Sequence, residues 1–256
     1  MEVTENRIGK LTVLVYANEK EMGRQAALLV INRIIDLQQA QNQLRMIFAS
    51  APSQSEFLKA LKEDQRIDWT RVTAFHMDEY IGLPLEHEQS FGRYLKENLF
   101  DHVPIGEVHY LNGIADDSAR ECARYATLLK EAPIDIVCMG IGENTHIAFN
   151  DPHVADFNDP ELVKIVDLDE ASRQQQVNDG CFPDLPSVPR FAMTLTVPAL
   201  LCGKALYCMV PGERKAEAAR ATLLENITEQ VPSSVLREHP DAKLFLDHQS
   251  ASKLKF

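Results

Sequence analysis

The sequence predicts an α/β protein with a Rossmann-like, mostly parallel sheet that is covered by helices on both faces. Apolar runs alternate with helix-like segments along nearly all of the 256 residues, and 45% of the residues are hydrophobic. Strands that alternate with amphipathic helices are typical of βαβ units, which build parallel sheets. No repeat or low-complexity tract divides the chain, so we expect residues 1–256 to form a single domain.

The individual elements follow from the period of the apolar residues. Strands are predicted at Leu11–Tyr16, Leu44–Phe48, Val72–Phe75, Ile134–Met139, Phe191–Val197, Ala205–Val210 and Lys243–Leu246. Helices are predicted at Glu19–Leu37, Glu56–Leu61, Ser90–Leu99, Ser118–Leu129 and Arg214–Leu224.

Charge and composition exclude several classes of function. The net charge of −12 argues against nucleic acid, which requires a basic surface, but leaves a small anionic ligand open. No apolar run is long enough to span a membrane, and the N-terminus does not resemble a signal peptide. We therefore expect a cytoplasmic protein that has neither a membrane nor a nucleic acid as partner.

The cysteines and the known short motifs give no sign of a cofactor. The five cysteines form no CxxC pair and no metal-ligand spacing, so we expect buried apolar fillers in a reducing compartment: Cys122, Cys138, Cys181, Cys202 and Cys208. P-loop, HExxH, GxSxG and dinucleotide fingerprints are missing from the sequence. The expectation is an enzyme with no metal and no cofactor.

Two predicted strands end in unusually polar segments, residues 73–84 (TAFHMDEYIGLP) and 140–152 (GIGENTHIAFNDP). Ligands of parallel sheets bind beyond the carboxyl ends of the strands. Asp78 and Glu79 leave an apolar strand, where a partly buried carboxylate can act as a general base. A helix cap or a solvated acidic pair is the alternative interpretation.

The second polar segment carries a histidine among carboxylates and amides. Gly140 and Gly142 permit a tight turn and a close backbone approach to a ligand. His146 follows and can transfer protons near neutral pH. A hydrogen-bonded structural histidine fits the spacing equally well.

Candidate phosphate-binding groups lie at the starts of two other helices. Lys215 follows Pro211 and Gly212 at a helix N-terminus, although a lysine on a solvated helix face is commoner. Ser50 and Ser53 lie in a loop between a strand and a helix, where serines also serve as helix caps.

At these residues the sequence resembles the glucosamine-6-phosphate deaminase family. The decisive motifs are FHMDEYIGLP at 75–84 and GIGENTHIAFNDP at 140–152. Supporting matches are AMTLTVPALL at 192–201, VPGERKAEA at 210–218 and LREHPDAKLFLD at 236–247. They run in order from the first predicted strands to near the C-terminus.

The resemblance implies the reaction and the roles of the residues. Such enzymes convert glucosamine 6-phosphate to fructose 6-phosphate and ammonia without a metal. Asp78 matches the base that moves a proton between C2 and C1, and Glu79 belongs to the same motif. His146 matches the histidine that opens the sugar ring, and Asp151 lies where the family has a supporting glutamate. Lys215 matches the phosphate-binding lysine.

The chain departs from the family pattern beside the histidine. Where family members have GNDGH, this chain has Glu143, Asn144 and Thr145 before His146. Asn144 therefore replaces the aspartate that faces the histidine. An amide orients an imidazole but does not stabilise its cation as a carboxylate does.

The binding segments depart as well. In the phosphate loop Ala51 and Pro52 replace two glycines, and Pro52 has no N–H to donate. Asn178 lies where the family has a substrate-binding arginine, for which Arg173 is a nearby substitute. Family enzymes with an allosteric phosphate site use Ser, Arg and Lys just after the HIAFN motif, whereas residues 153–164 (HVADFNDPELVK) are acidic and apolar, so we expect that regulation to be missing. These departures indicate a divergent subgroup whose substrate can differ from glucosamine 6-phosphate.

Two alternatives to a deaminase remain open. A 6-phosphogluconolactonase-like hydrolase has the same general fold, but its GxDGHxAS pattern is not the one found here. A sugar-phosphate-binding protein without catalysis would explain the altered loop, although it would not require Asp78 and His146. The expected partner in each case is a small sugar phosphate, and a homo-oligomer is possible.

Overall fold

The computed structural model describes residues 4–178 and 180–255. The strands are β1 Thr4–Ile8, β2 Leu11–Tyr16, β3 Leu44–Phe48, β4 Val72–His76, β5 Asp78–Tyr80, β6 Glu107–His109, β7 Ile136–Met139, β8 Val163–Asp167, β9 Phe191–Leu195, β10 Ala205–Val210 and β11 Ala242–Asp247. The α-helices are α1 Glu19–Ala40, α2 Ser55–Glu63, α3 Phe91–Asn98, α4 Ser118–Lys130, α5 Glu170–Asn178, α6 Val197–Leu201 and α7 Ala216–Leu224.

Eight strands form the main sheet in the order β1-β2-β11-β10-β7-β3-β4-β6. Every neighbouring pair is parallel except β1 and β2, which form an antiparallel hairpin at one edge. The chain passes from β2 to β3 across three strand positions, then builds outward to β6 and returns through β7. The strand order therefore reverses between β3 and β7, which is where a parallel sheet binds ligands.

Helices cover both faces of this sheet because alternate strand residues are apolar on opposite sides. One core cluster packs beneath α1, α2 and α3 and takes from the strands Leu14, Tyr16, Met46, Phe48, Ile136 and Cys138. The other packs beneath α4, α6 and α7 and takes Val13, Val15, Ile47, Phe75, Val137 and Met139. The predicted Rossmann-like fold is confirmed.

A smaller antiparallel sheet, β5-β9-β8, was not predicted. Its strand β5 has only three residues, and only Val163 and Val166 of β8 are buried, within an otherwise polar segment. Such short strands are stabilised by pairing with distant residues, which local periodicity does not reveal. Asp78 and Glu79 therefore lie in a second, paired strand, whereas the sequence placed them only in the polar segment that follows a strand.

The seven predicted strands and five predicted helices are all present, with shifts at their ends. The largest strand errors are of two residues: β7 begins at Ile136 and not at Ile134, and Val197 begins α6 rather than ending β9. The period of the apolar residues did not reveal β1, β5, β6 and β8, which are short or edge strands.

The prediction for the cysteines was correct in part. Cys122, Cys138 and Cys208 are buried, but Cys181 is partly exposed and Cys202 is exposed. Among the described residues, no helix is long and apolar enough to cross a membrane.

Candidate active site

A cavity of about 560 Å³ opens at the carboxyl edge of the main sheet, beside the reversal of strand order. The segments that follow β3, β4, β7 and β10 form its walls, together with α5. Most of the predicted site residues line it: Ser50, Ser53, Asp78, Gly142, His146, Asp151, Arg173 and Lys215. Glu79 and Asn144 do not line it and contact residues that do.

Asp78 begins β5, where it pairs with Thr194 of β9. Burial, together with the neighbouring charge of Glu79, raises the pKa of Asp78 from 3.8 to about 8. A carboxyl group with such a pKa takes up and releases protons near neutral pH, as a general base must.

Glu79 points away from the cavity and caps α3. Its Oε2 accepts hydrogen bonds from Ser90 Oγ at 2.7 Å and Gly92 N at 3.0 Å. Its Oε1 accepts from Phe91 N at 3.2 Å and from its neighbour Tyr80 N at 3.0 Å. Burial raises the pKa of Glu79 although these four hydrogen bonds oppose the shift. The carboxylate thus fixes α3 against β5 and stands directly behind Asp78.

His146 is held by a short chain of polar contacts. Its Nδ1 lies 3.0 Å from Asp151 Oδ1, and that same oxygen accepts from Asn144 Nδ2 at 2.7 Å. Burial alone would raise the pKa of Asp151, but the hydrogen bonds and the His146 charge outweigh it and lower the pKa. Asp151 therefore stays ionised beside the imidazole. Asn144 does not contact the imidazole itself: its Nδ2 donates to Asp151 Oδ1, and its Oδ1 accepts from His146 N at 3.2 Å.

The loop that carries His146 is shaped by its backbone. A Cβ added to Gly142 would lie 2.2 Å from the His146 ring, so only glycine leaves room for the imidazole. Thr145 has a φ of +72°, in the left-handed region that a β-branched residue rarely adopts. The family has glycine there, so this chain holds its histidine with a strained residue.

Strand β9 ties the two reacting segments together, which sequence reasoning missed. Leu195 N donates to Met77 O at 2.8 Å, next to Asp78. Asn150 Nδ2 donates to Leu195 O at 2.8 Å, and Phe149 N donates to Thr194 Oγ1 at 3.0 Å, which fixes the His146 loop. The only available signal was the match of AMTLT to the family, because these contacts join residues far apart in the chain.

The loop after β3 forms the opposite wall of the cavity. Ser50 Oγ donates to Phe91 O at 3.0 Å, and Pro52 opens a short 3-10 helix at 52–54. The buried Gln54 reaches Ser53 Oγ at 3.2 Å and Met139 O at 3.4 Å. The amide side chain of Gln54 thus braces a loop that lacks the glycines of the family pattern.

Lys215 lies at the end of a 3-10 helix, 213–215, that leads into α7. Gly212 precedes it with a φ of +90°, and Gly212 N donates to both oxygens of the buried Asp247, at 3.1 and 3.2 Å. Arg214 forms an ion pair with Glu143 at 2.8 Å across the cavity mouth. The cationic side chains of Arg214 and Lys215 thus both line the cavity.

Arg173 enters the cavity from α5. Its Nη2 donates to Leu185 O at 2.7 Å and Val188 O at 2.9 Å. Its guanidinium is thus fastened to the segment that follows α5. The side chain of Asn178, the other residue considered at this place, lies outside the described residues.

Comparison with known proteins agrees with this geometry. The family model described as glucosamine-6-phosphate isomerases/6-phosphogluconolactonase matches residues 17–245. The chain belongs to this family. A glucosamine-6-phosphate deaminase of Bacillus cereus is 36% identical over 187 residues, which are 73% of this chain and 70% of that protein. A protein of the same name from Streptococcus suis is 35% identical over 206 residues, 80% of this chain and 86% of the relative.

Solved structures support the family and the fold. A monomeric glucosamine-6-phosphate deaminase of the NagB superfamily superposes with a TM-score of 0.85 and 29% identity, covering 94% of this chain and 99% of that one. A 6-phosphogluconolactonase from Thermotoga maritima superposes with a TM-score of 0.74 over 92% of this chain and 99% of the other, at 21% identity. At that identity the second likeness shows the shared fold alone. The resemblance to the deaminase family is confirmed.

Proposed function

We propose that this protein isomerises and deaminates an amino-sugar phosphate, converting glucosamine 6-phosphate and water to fructose 6-phosphate and ammonia. The observation that carries the proposal is the single cavity that Asp78, His146 and Lys215 share. A base, a ring-opening group and a phosphate anchor are the three parts that the reaction needs. Relatives at 35–36% identity bear the deaminase name.

The proton transfers are assigned to the reacting end of the cavity. His146, oriented by the ionised Asp151, moves the proton that accompanies opening of the sugar ring. Asp78 then takes the proton from C2 and delivers it to C1 through an enediol-type intermediate. Water adds at C2 and ammonia leaves, which yields the ketose. Asn144 and Glu79 are positioning residues because neither lines the cavity.

The phosphate is assigned to the opposite end. Lys215, with Arg214 beside it and Ser53 across the cavity, supplies cationic and hydroxyl groups. Ser50 donates to a backbone carbonyl, so its contribution is to fix the loop. Arg173 is assigned to the sugar. Positive groups in one cleft attract an anionic ligand even in an acidic protein.

The test is ammonia release by purified protein given glucosamine 6-phosphate, with galactosamine 6-phosphate and unphosphorylated glucosamine alongside. We expect turnover of the first compound and none of the unphosphorylated sugar. Hydrolysis of 6-phosphogluconolactone without ammonia release would show that the protein is a 6-phosphogluconolactonase-like hydrolase and not a deaminase. Tight binding of the sugar phosphate without any turnover would indicate a binding protein.

Three further expectations belong to this proposal. We propose that residues 1–256 act as one domain, that the enzyme works in the cytoplasm, and that no second phosphate site regulates it. The basic residue nearest the expected position of such a site, Lys164, is already paired with Asp159 at 2.8 Å. A binding titration that detects a second sugar-phosphate site would contradict the last expectation. A sedimentation measurement would determine whether the protein forms a homo-oligomer.

A further inference from the structure

A group of three potential metal ligands lies beside the candidate active site. One ligand atom each of Asp151, His153 and Asp169 lies within 4.8 Å of the other two. Asp151 and His153 belong to the segment between β7 and β8, whereas Asp169 lies between β8 and α5. Their proximity is therefore produced by the fold and not by sequence spacing.

The second observation concerns the unused oxygen of Asp151. Oδ1 accepts from both His146 and Asn144, but Oδ2 is buried and has no hydrogen-bond partner among the described residues. The whole residue has an exposed fraction of 0%. A buried carboxylate oxygen without a donor is costly, so such an atom indicates a ligand that the protein alone does not supply.

We propose that Asp151, His153 and Asp169 bind a divalent transition-metal ion such as Zn²⁺. Two carboxylates and one neutral imidazole carry a charge of about −2, which a divalent ion neutralises, and the imidazole favours Zn²⁺ over Mg²⁺ or Ca²⁺. Lys164, which lies nearby in the chain, is paired with Asp159 and does not neutralise these carboxylates.

The distances permit the site after a small movement. Ligand atoms on a tetrahedral Zn²⁺ lie at about 2.0–2.2 Å from the ion and so about 3.3–3.6 Å apart. The three ligand atoms here lie within 4.8 Å of one another, so they must approach by about 1 Å to bind the ion. His153, whose side chain is 38% exposed, closes the gap by turning, and this turn exchanges the contact of its Nε2 with Asp167 O at 3.2 Å for the ion. Asp169 is already fixed, because its Oδ1 accepts from Ser172 N at 2.6 Å.

The site adjoins the cavity because Asp151 is shared with His146. An ion on the Asp151 carboxylate withdraws electron density from the group that orients the imidazole, so the ion acts as an inhibitor and not as a cofactor. That consequence rests on the proposed function. Binding of the ion does not, because it is measured without substrate.

The experiment is calorimetric titration of Zn²⁺ into chelator-treated full-length protein, in the presence and absence of millimolar Mg²⁺. The variants are His153→Ala and Asp169→Asn, and His102→Ala serves as the matched control because His102 is an exposed histidine outside the site. We expect one ion per chain in the wild type and control. Each site variant should weaken binding by at least about tenfold, since even residues behind a metal ligand contribute about 10- to 100-fold.

Two results would overturn the inference. One is undiminished zinc affinity in either site variant, and the other is equal competition by Mg²⁺, which would indicate counterions on an acidic surface. Thermal unfolding in the absence of zinc checks that each variant is folded. Failure to bind zinc with normal ammonia release would refute the metal site and leave the proposed reaction intact.

Discussion

The reacting end and the phosphate end that we propose for the cavity are positioned in different ways. At the reacting end, the segments that carry Asp78 and His146 are both tied to β9 by hydrogen bonds that involve backbone atoms. At the phosphate end, single buried side chains hold the loops: Gln54 supports residues 49–55, and Asp247 supports Gly212. The reacting end thus combines one backbone contact, Leu195 N to Met77 O, with the side chains of Asn150 and Thr194. Each loop at the phosphate end depends on one buried side chain. Substitutions at the two ends should therefore have different kinetic effects.

The largest effect is expected at the reacting end, from Asp78→Asn. The amide keeps the shape but cannot take the C2 proton, so kcat should fall by roughly 10²–10⁴-fold with little change in binding. The control is Asp36→Asn on the exposed side of α1, which should leave both constants unchanged. Near-normal turnover of Asp78→Asn would remove Asp78 as the base and with it the distinction between the two ends.

A smaller effect, on KM rather than on kcat, is expected from Lys215→Ala. Loss of one cationic hydrogen-bond donor to the phosphate should raise KM by roughly 10- to 100-fold, because hydrogen bonds to charged groups contribute about 1.5–3 kcal/mol. The value of kcat should change much less. The matched control is Lys59→Ala, at an exposed position of α2. A drop in kcat at constant KM would place Lys215 among the reacting groups.

The pH dependence tests the coupling between Asp78 and the residue behind it. Because a base must be ionised, turnover at saturating substrate should rise with pH and level off above about 8, the raised pKa of Asp78. Glu79→Gln removes the neighbouring negative charge, so this rise should move to lower pH. An unchanged pH profile of turnover in folded Glu79→Gln protein would show that the charge of Glu79 does not affect the pKa of Asp78.

The raised pKa of Asp78 also predicts that this residue stabilises the protein less as pH rises, which is opposite to the trend in turnover. The folded state keeps a proton on Asp78 between the ordinary value of 3.8 and about 8, whereas the unfolded state releases it. The contribution of this group to the free energy of unfolding should therefore decrease as pH rises through that range. Urea unfolding of the wild type and Asp78→Asn at several pH values measures it, and the variant should lack this component.

The sequence predicted the parts of the molecule that depend on local pattern. Alternating strands and helices indicated the main sheet, and the polar strand ends indicated Asp78 and His146. A helix cap was one interpretation of the acidic pair, but it could not be predicted that Glu79 caps α3 through Ser90, eleven residues on. The same is true of the support of Gly212 by Asp247, 35 residues away. These contacts depend on strand order and on the small sheet, which join distant residues. The tight fit of Gly142 against His146 likewise depends on the loop conformation.

The smallest predicted effect tests whether the backbone strain at Thr145 helps to determine the position of His146. At ordinary positions, alanine is more stabilising than glycine, because glycine loses more conformational entropy on folding. Thr145 has a φ of +72°, where a Cβ costs about 1–2 kcal/mol. Thr145→Gly should therefore be more stable than Thr145→Ala by about 1 kcal/mol, since both remove the hydroxyl and the methyl group and differ only in the Cβ. Urea unfolding of the two variants measures the difference. The usual order, with alanine the more stable, would mean that the loop relaxes to negative φ and that hydrogen bonds to β9, not a strained backbone, determine where His146 lies.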